Sequence, residues 1–289
     1  MISPRSRALL DRYALASKAL SRSSGERLAT EAGQSVEFHD FRPYQPGDEL
    51  RYVDWRVYAR TNRLYTRLYQ AERTIDLHLV LDTSSSMQLG GKLRYARIVA
   101  ELLSYVAQRD NRSQIHLLNG QHSNPSQGKV GIGEAWQFID DAPVLEGEVL
   151  PPFLSLKELV LGMPLHQGAS LVLIISDLFD EGPLQPALAA LRARGFDGGF
   201  LQVMAEEDLH PQEGQFELVD VESRERLYVG PEEVRSYRRA VQTFLRHTRA
   251  AILQAGFRHS LLIARRESAD ELERGAFASL IREGILVKR

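Results

Sequence analysis

The chain has 289 residues, enough for one large domain or two small ones, and its 43% hydrophobic content is ordinary for a globular chain with a full core. A net charge of −2 creates no global field toward nucleic acid or anionic lipid. The lack of cysteine excludes disulfides, thiolate zinc sites and thiol nucleophiles and fits a reducing compartment, and no stretch approaches the ~20 apolar residues of a membrane span.

The start, MISPRSRALLDRY, lacks the apolar core of a secretory signal, so a cytoplasmic location is expected. Ser3-Pro4 reads as a helix start, with Leu9, Leu10, Tyr13, Leu15 and Leu20 as an imperfect apolar face. Arg5, Arg7, Arg12, Lys18, Arg22 and Arg27 make this end basic. Such a helix either packs on its own domain or lies on an acidic partner or a membrane surface, so peripheral membrane contact stays open. Ser23-Ser24-Gly25 breaks it. From Ser35 to Arg73 the chain mixes Pro, Gly, aromatics and charge, with a strand-like alternation over Leu64–Tyr69. Arg42, Asp48, Arg51, Asp54, Arg56, Arg60 and Arg63 there form either structural ion pairs or a partner-binding surface. Trp55 reads as a core anchor.

Ile75–Leu81 is an apolar, β-branched run bounded by turn formers, which predicts a buried central strand, with His78 packed inside it. Asp82, Ser84 and Ser86 then place a carboxylate and two hydroxyls at alternate positions. Oxygen ligands at the carboxyl end of a buried parallel strand lie where open α/β sheets place their sites, and they suit a hard cation such as Mg²⁺. The same residues also turn a chain and cap a helix. Gly90-Gly91-Lys92 lacks the spacing and the Ser/Thr of a phosphate-binding loop.

Lys92–Gln108 predicts a well-buried helix and Ile115–Leu118 a second strand. Asn119–Gly133 reads as a loop around a short edge strand near Val130–Ile132. An acidic loop carrying Asp140, Asp141, Glu146 and Glu148 precedes a helix at Pro151–Leu161. Ser170–Ser176 is the second strongest buried strand and ends in Asp177. There follow a helix over Leu184–Arg194, a strand over Phe200–Met204, a hairpin-like insertion over Phe216–Val221 and Arg226–Val229, a long helix from Pro231 to about Gln254, a strand over His259–Ala264 and a helix over Ala269–Arg282. The alternation predicts an α/β fold with a largely parallel sheet flanked by helices and joined by right-handed crossovers. If the two most buried strands are neighbours, Asp82, Ser84, Ser86 and Asp177 converge. The histidines show no HxxxH or HExxH spacing, so no zinc enzyme is expected.

DTSSSM after an apolar strand resembles the DxSxS of the metal-ion-dependent adhesion site in von Willebrand factor A domains. Glu37-Phe38, Arg42-Pro43-Tyr44, Pro46-Gly47-Asp48 and Arg51-Tyr52-Val53-Asp54-Trp55, followed by Ala59-Arg60 and Glu72, resemble the bacterial family of domain of unknown function 58 (DUF58). The resemblance implies a von Willebrand A-like (Rossmann-like) domain over 75–289, preceded by a helix and a family-specific β segment over 1–74 packed on it. It implies metal roles for Ser84 and Ser86 directly and for Asp82 and Asp177 through water. The family site adds a threonine, which this chain lacks between Thr83 and Thr243; Glu148 lies at the matching loop. Mg²⁺ is the expected ion, with Mn²⁺ and Ca²⁺ also open. The implied function is a non-catalytic protein-interaction module working with a MoxR-type AAA+ ATPase in a chaperone-like or assembly role. The competing enzyme reading is a Mg²⁺-dependent phosphohydrolase with Asp82 as nucleophile, although Ser84 stands where such enzymes need a second carboxylate. Nucleic-acid binding has no support in net charge or in aromatic–basic interleaving.

Overall fold

The computed structural model describes residues 2–16, 36–71, 75–144, 155–164, 169–179, 183–211, 216–219 and 226–289. The chain divides into two compact units, one comprising residues 1–18 and 75–289, the other residues 19–74.

In the larger unit a short helix, Pro4–Leu10, is capped by Ser3, whose hydroxyl accepts from the Ser6 N–H. It leads into β1 (Tyr13–Leu15). This helix belongs to the larger unit because Ile2, Leu10 and Leu15 are buried in the main core and Ser3 donates to Glu273.

The smaller unit contains β2 (Val36–Pro43) and β3 (Tyr65–Ala71), an antiparallel pair with an irregularity between Phe38 and Asp40. The helix Trp55–Thr61 lies between them in sequence. Asp54 caps it by accepting from the N–H groups of Arg56 and Val57, and the Arg67 guanidinium donates to the same carboxylate. These donors, the Val57 N–H foremost, hold the Asp54 carboxyl below its usual range. Asn62 ends the helix in the left-handed conformation. Val53 is buried and bridges to Thr66. Trp55, expected in the core, is 56% exposed: the cap and the Val53 bridge fasten the helix, so its first residue faces outward.

The larger unit is built on β4 (Ile75–Leu81), β5 (Arg112–Leu117), β6 (Ala169–Ser176) and β7 (Asp197–Ala205), with β8 (Phe216–Val219) and β9 (Arg226–Val229) forming a separate antiparallel hairpin. The strands β10 (Arg258–Ala264) and β11 (Leu286–Lys288) follow. The central sheet runs β10-β7-β6-β4-β5, all parallel. Counted within the sheet the order is 2-1-3-4-5, so the direction of winding reverses between β4 and β6. β1 pairs with β11 in a two-stranded antiparallel ribbon.

Both faces of the sheet are covered, which is why β4 and β6 are apolar at nearly every position. Leu77, Leu79, Leu81, Leu171, Leu173 and Ile175 face one core, shared with the helix Lys92–Asp110, while Val80, Val172 and Ile174 face the other. Gly198 lets β7 approach β6, since a Cβ there would meet the Val172 carbonyl oxygen at 2.0 Å.

Two expected elements are overturned. Tyr13 and Leu15, expected on the face of the amino-terminal helix, lie in β1, because Asp11 ends that helix and the chain pairs with β11. Residues Gly128–Asp141 form a helix, not a loop with an edge strand. Gly131, Ala135, Trp136 and Ile139 are its buried positions, a helical spacing that its three glycines conceal. Isolated antiparallel bridges, Ser113–Ser126 and His116–His122, lie along β5 instead. The helix expected at Pro151–Leu161 is described over Leu156–Gly162, with a capping box between Ser155 and Glu158.

Candidate functional site

Register places Leu81 opposite Ile175, so Asp82 follows β4 beside Ser176 and Asp177 at the end of β6. The two most buried strands are therefore neighbours, and their tips meet where the winding reverses, the place where α/β sheets carry their ligands.

Each carboxylate oxygen in this cradle already has a donor. Asp82 Oδ2 accepts from Ser176 Oγ at 2.5 Å, and Oδ1 from the Ser84 N–H at 2.9 Å. Asp177 Oδ1 accepts from the Phe179 N–H at 3.1 Å, and Oδ2 from Lys92 Nζ at 2.8 Å. The Lys92 ammonium also lies 3.3 Å from Asp208 and 5.2 Å from the centre of the Phe179 ring. Lys92 and Asp177 side chains are each only 2% exposed. Burial pushes the Asp82 carboxyl above its usual range, and the charge of Asp177 adds to that against the hydrogen bonds from Ser176 and Ser84. Thr83 is buried, and its hydroxyl has no hydrogen-bond partner among the described residues.

Local backbone geometry brings the lysine here. Gly90 and Gly91 both have positive φ, +60° and +78°, and a Cβ on Gly90 would stand 2.2 Å from Ala205 Cβ. Only glycine allows the chain to turn this close to the end of β7 and start the helix at Lys92. On the other side Leu178 takes a left-handed φ of 60°, which is strained for a leucine, as the chain leaves Asp177. A deeper layer extends the network: Gln202 donates to the Asp177 carbonyl, and the ring of His259 hydrogen-bonds the Gln202 side-chain oxygen.

The structure thus brings together Asp82, Ser84, Ser86 and Asp177, while Glu148 lies outside the described residues. Ser84 and Ser86 hydroxyls hydrogen-bond each other at 3.1 Å. This set does not fit a divalent cation. The hydroxyls are neutral, both Asp82 oxygens already accept hydrogen bonds, and the Lys92 ammonium already neutralises Asp177 and would repel a second cation. Among the described residues no group of three or more His, Asp or Glu side chains is arranged to hold a metal ion.

Lys92, Ser176, Asp208, Gln202 and His259 were not singled out by the motif. Lys92 carried a signal nonetheless: with Ala96, Val99 and Leu103 it falls on the buried stripe of its helix, and a lysine on such a stripe needs a carboxylate. Three of the histidines, scattered in sequence, meet in space. His78 and His116 are buried and share a hydrogen bond of 3.0 Å, with the His122 ring 6.0 Å from that of His116. Burial, then the neighbouring His78 and His122, holds His116 down to about 3.

Comparison with known proteins gives a family and little more. The model of the family described as "Protein of unknown function DUF58" matches residues 40–251. Uncharacterized proteins of Mycobacterium tuberculosis and Mycobacterium bovis are 39% identical over 66 residues, 23% of this chain. The match spans about a fifth (21%) of the length of those relatives. Among solved structures, an aerotolerance-related membrane protein from Bacteroides fragilis, carrying multiple mutations to serines, aligns over 72% of this chain and 99% of its own, with 13% identity and a TM-score of 0.42. No helix among the described residues is long and apolar enough to cross a membrane.

Proposed function

We propose that this chain, which belongs to the DUF58 family, is a non-catalytic protein-interaction module with a von Willebrand A-like larger unit. The observation that carries this reading is the state of the strand-end cradle. Where an open α/β sheet keeps its reactive groups, every carboxylate oxygen has a protein donor and the cation is Lys92. A phosphohydrolase nucleophile has to be ionised and approachable. Asp82 is buried, has both carboxylate oxygens taken by hydrogen bonds from Ser176 and Ser84, and has Ser84 rather than a carboxylate two positions on. The cradle therefore acts as a structural tip, held by Lys92, that shapes the loops around it.

In this reading binding is independent of divalent cations. The partner suggested by the family resemblance is a MoxR-type AAA+ ATPase, in a chaperone-like or assembly role. Affinity capture of the full chain with such an ATPase, in Mg²⁺ and in EDTA, tests it. Equal capture in both supports the reading. Capture that requires Mg²⁺ and disappears in Asp82→Ala plus Ser84→Ala would restore a metal-dependent site. Mg²⁺-dependent phosphatase activity abolished by Asp82→Asn would make the chain an enzyme.

A further inference from the structure

We infer that the smaller unit carries a docking surface for an extended acidic peptide segment of a partner protein, centred on the helix Trp55–Thr61. This inference concerns a different surface from the strand-end cradle and stands whether or not the cradle binds anything.

The helix is held from beneath and bare above. Asp54 and Arg67 fasten its start, and Val53 is buried. Trp55 (56% exposed) and Tyr58 (39% exposed) stand on one side, edge to face with ring centres 6.1 Å apart. Large aromatics left exposed on a rigid support are the residue types that dominate protein interfaces, together with arginine. Beside Tyr58 lies an open groove of about 470 Å³, lined by Pro43, Tyr44, Tyr58, Arg63, Leu64 and Tyr65.

The charge on this surface chooses the occupant. Arg42, Arg51 and Arg67 are paired with Asp48, Glu49 and Asp54. Arg56, Arg60 and Arg63 are exposed and have no acidic partner among the described residues. Arg56 and Arg60 stand at i and i+4 on one face of the helix, and Arg63 follows just past the left-handed Asn62 that ends it. Arg56 and Arg60 are about 6 Å apart along the helix axis, from four residues at ~1.5 Å each. Alternate residues of an extended peptide are spaced by roughly 6.6 Å. Carboxylates at alternate positions of such a peptide therefore meet successive arginines, each offering bidentate donors.

A single-stranded nucleic acid is the less suitable occupant. Its bases stack on parallel aromatic platforms, whereas Trp55 and Tyr58 are perpendicular, with 88° between their planes.

The test uses the full chain and three fluorescent probes: a twelve-residue peptide of alternating Glu with Leu and Pro, the same peptide with Gln for Glu, and an oligothymidylate. Trp55 is one of two tryptophans and the other, Trp136, is buried, so indole fluorescence reports the site directly. The Glu peptide is expected to bind and to perturb Trp55 emission, with affinity lowered at least tenfold in Arg56→Gln/Arg60→Gln and in Trp55→Ala. An unchanged melting temperature in these surface variants shows that they fold, and Asp82→Asn is expected to bind the peptide as the wild type does. Equal binding of the Gln peptide, undiminished binding by the double arginine variant, no binding of the Glu peptide, or preference for the oligothymidylate would each overturn the inference. Failure of the ATPase capture alongside retained peptide binding would remove the proposed partner and leave this surface intact.

Discussion

Replacing Lys92 by Met tests the cradle most directly. The substitution keeps the length and apolar stem of the side chain and removes the ammonium that bonds Asp177 at 2.8 Å and Asp208 at 3.3 Å. Asp177 is then a buried carboxylate with the Phe179 N–H as its remaining side-chain donor. Breaking a buried pair by removing one partner costs about 3–5 kcal/mol, most of it the uncompensated charge. Asp208 adds less, because its side chain is 18% exposed and reaches water. For a unit of this size each kcal/mol moves Tm by roughly 2–4 °C, so a fall of about 10 °C is expected. Adding Asp177→Asn removes the stranded charge while keeping an acceptor for Phe179, and the double variant should recover at least half of the loss. Thermal and urea unfolding of the four proteins of this cycle give the coupling energy. A single-variant loss below about 1 kcal/mol, or no recovery in the double variant, refutes the reasoning. So does a wild-type Tm that climbs with Mg²⁺, since a bound ion at a hundredfold excess over Kd adds about 2.7 kcal/mol.

Asp82→Asn is expected to leave stability unchanged or raise it by up to about 1 kcal/mol at neutral pH. The folded carboxyl is pushed upward, so its ionisation penalises the fold as pH rises above the ordinary carboxylate value, and the advantage of Asn should vanish at pH 3 in urea titrations. Acid should destabilise the protein through its buried imidazoles. His116 is held down to about 3, by burial first and then by its histidine neighbours, and His259 to about 4 by burial and then by Arg249. Between pH 6.5 and those values the unfolded chain takes protons that the folded chain refuses. Stability is therefore full above 6.5 and falls through this window, by roughly 4 kcal/mol for His116 alone, and His116→Gln should flatten a urea-midpoint profile measured against pH. Gly90→Ala should cost at least about 2 kcal/mol because it adds a collision with Ala205 to a strained φ, whereas Gly91→Ala, with open space around it, should cost about 1 kcal/mol. Equal losses in chemical denaturation would show that the close approach does not matter.

The parts of the fold readable from sequence are those where one physical demand dominates. β4 and β6 are covered on both faces, so their apolar runs marked both as central strands, and their pairing brings Asp82 and Asp177 together. The helix Gly128–Asp141 was hidden because glycines at 128, 131 and 133 mimic a loop, although Gly131 is buried where Ser126 and Gln108 leave no room for a Cβ. Trp55 misled for the opposite reason: hydrophobicity says what a side chain tolerates, and the anchoring is done by Val53 and Asp54, the two residues just before it. The cradle's oxygens were visible as a motif. Its cation was not, because a motif of hydroxyls and carboxylates says nothing of a lysine ten residues on, and only the buried stripe of the following helix shows that Lys92 points inward.

The ribbon between Tyr13–Leu15 and Leu286–Lys288 has a consequence for synthesis. A nascent chain can zip residues 36–43 onto 65–71 long before translation finishes, since the pairing is local. The larger unit must wait, because the two strands of that ribbon lie more than 270 positions apart in the chain. Until both strands have been made, Leu10 and Leu15 lack part of the core that covers them, which leaves an apolar surface of the kind a chaperone grasps.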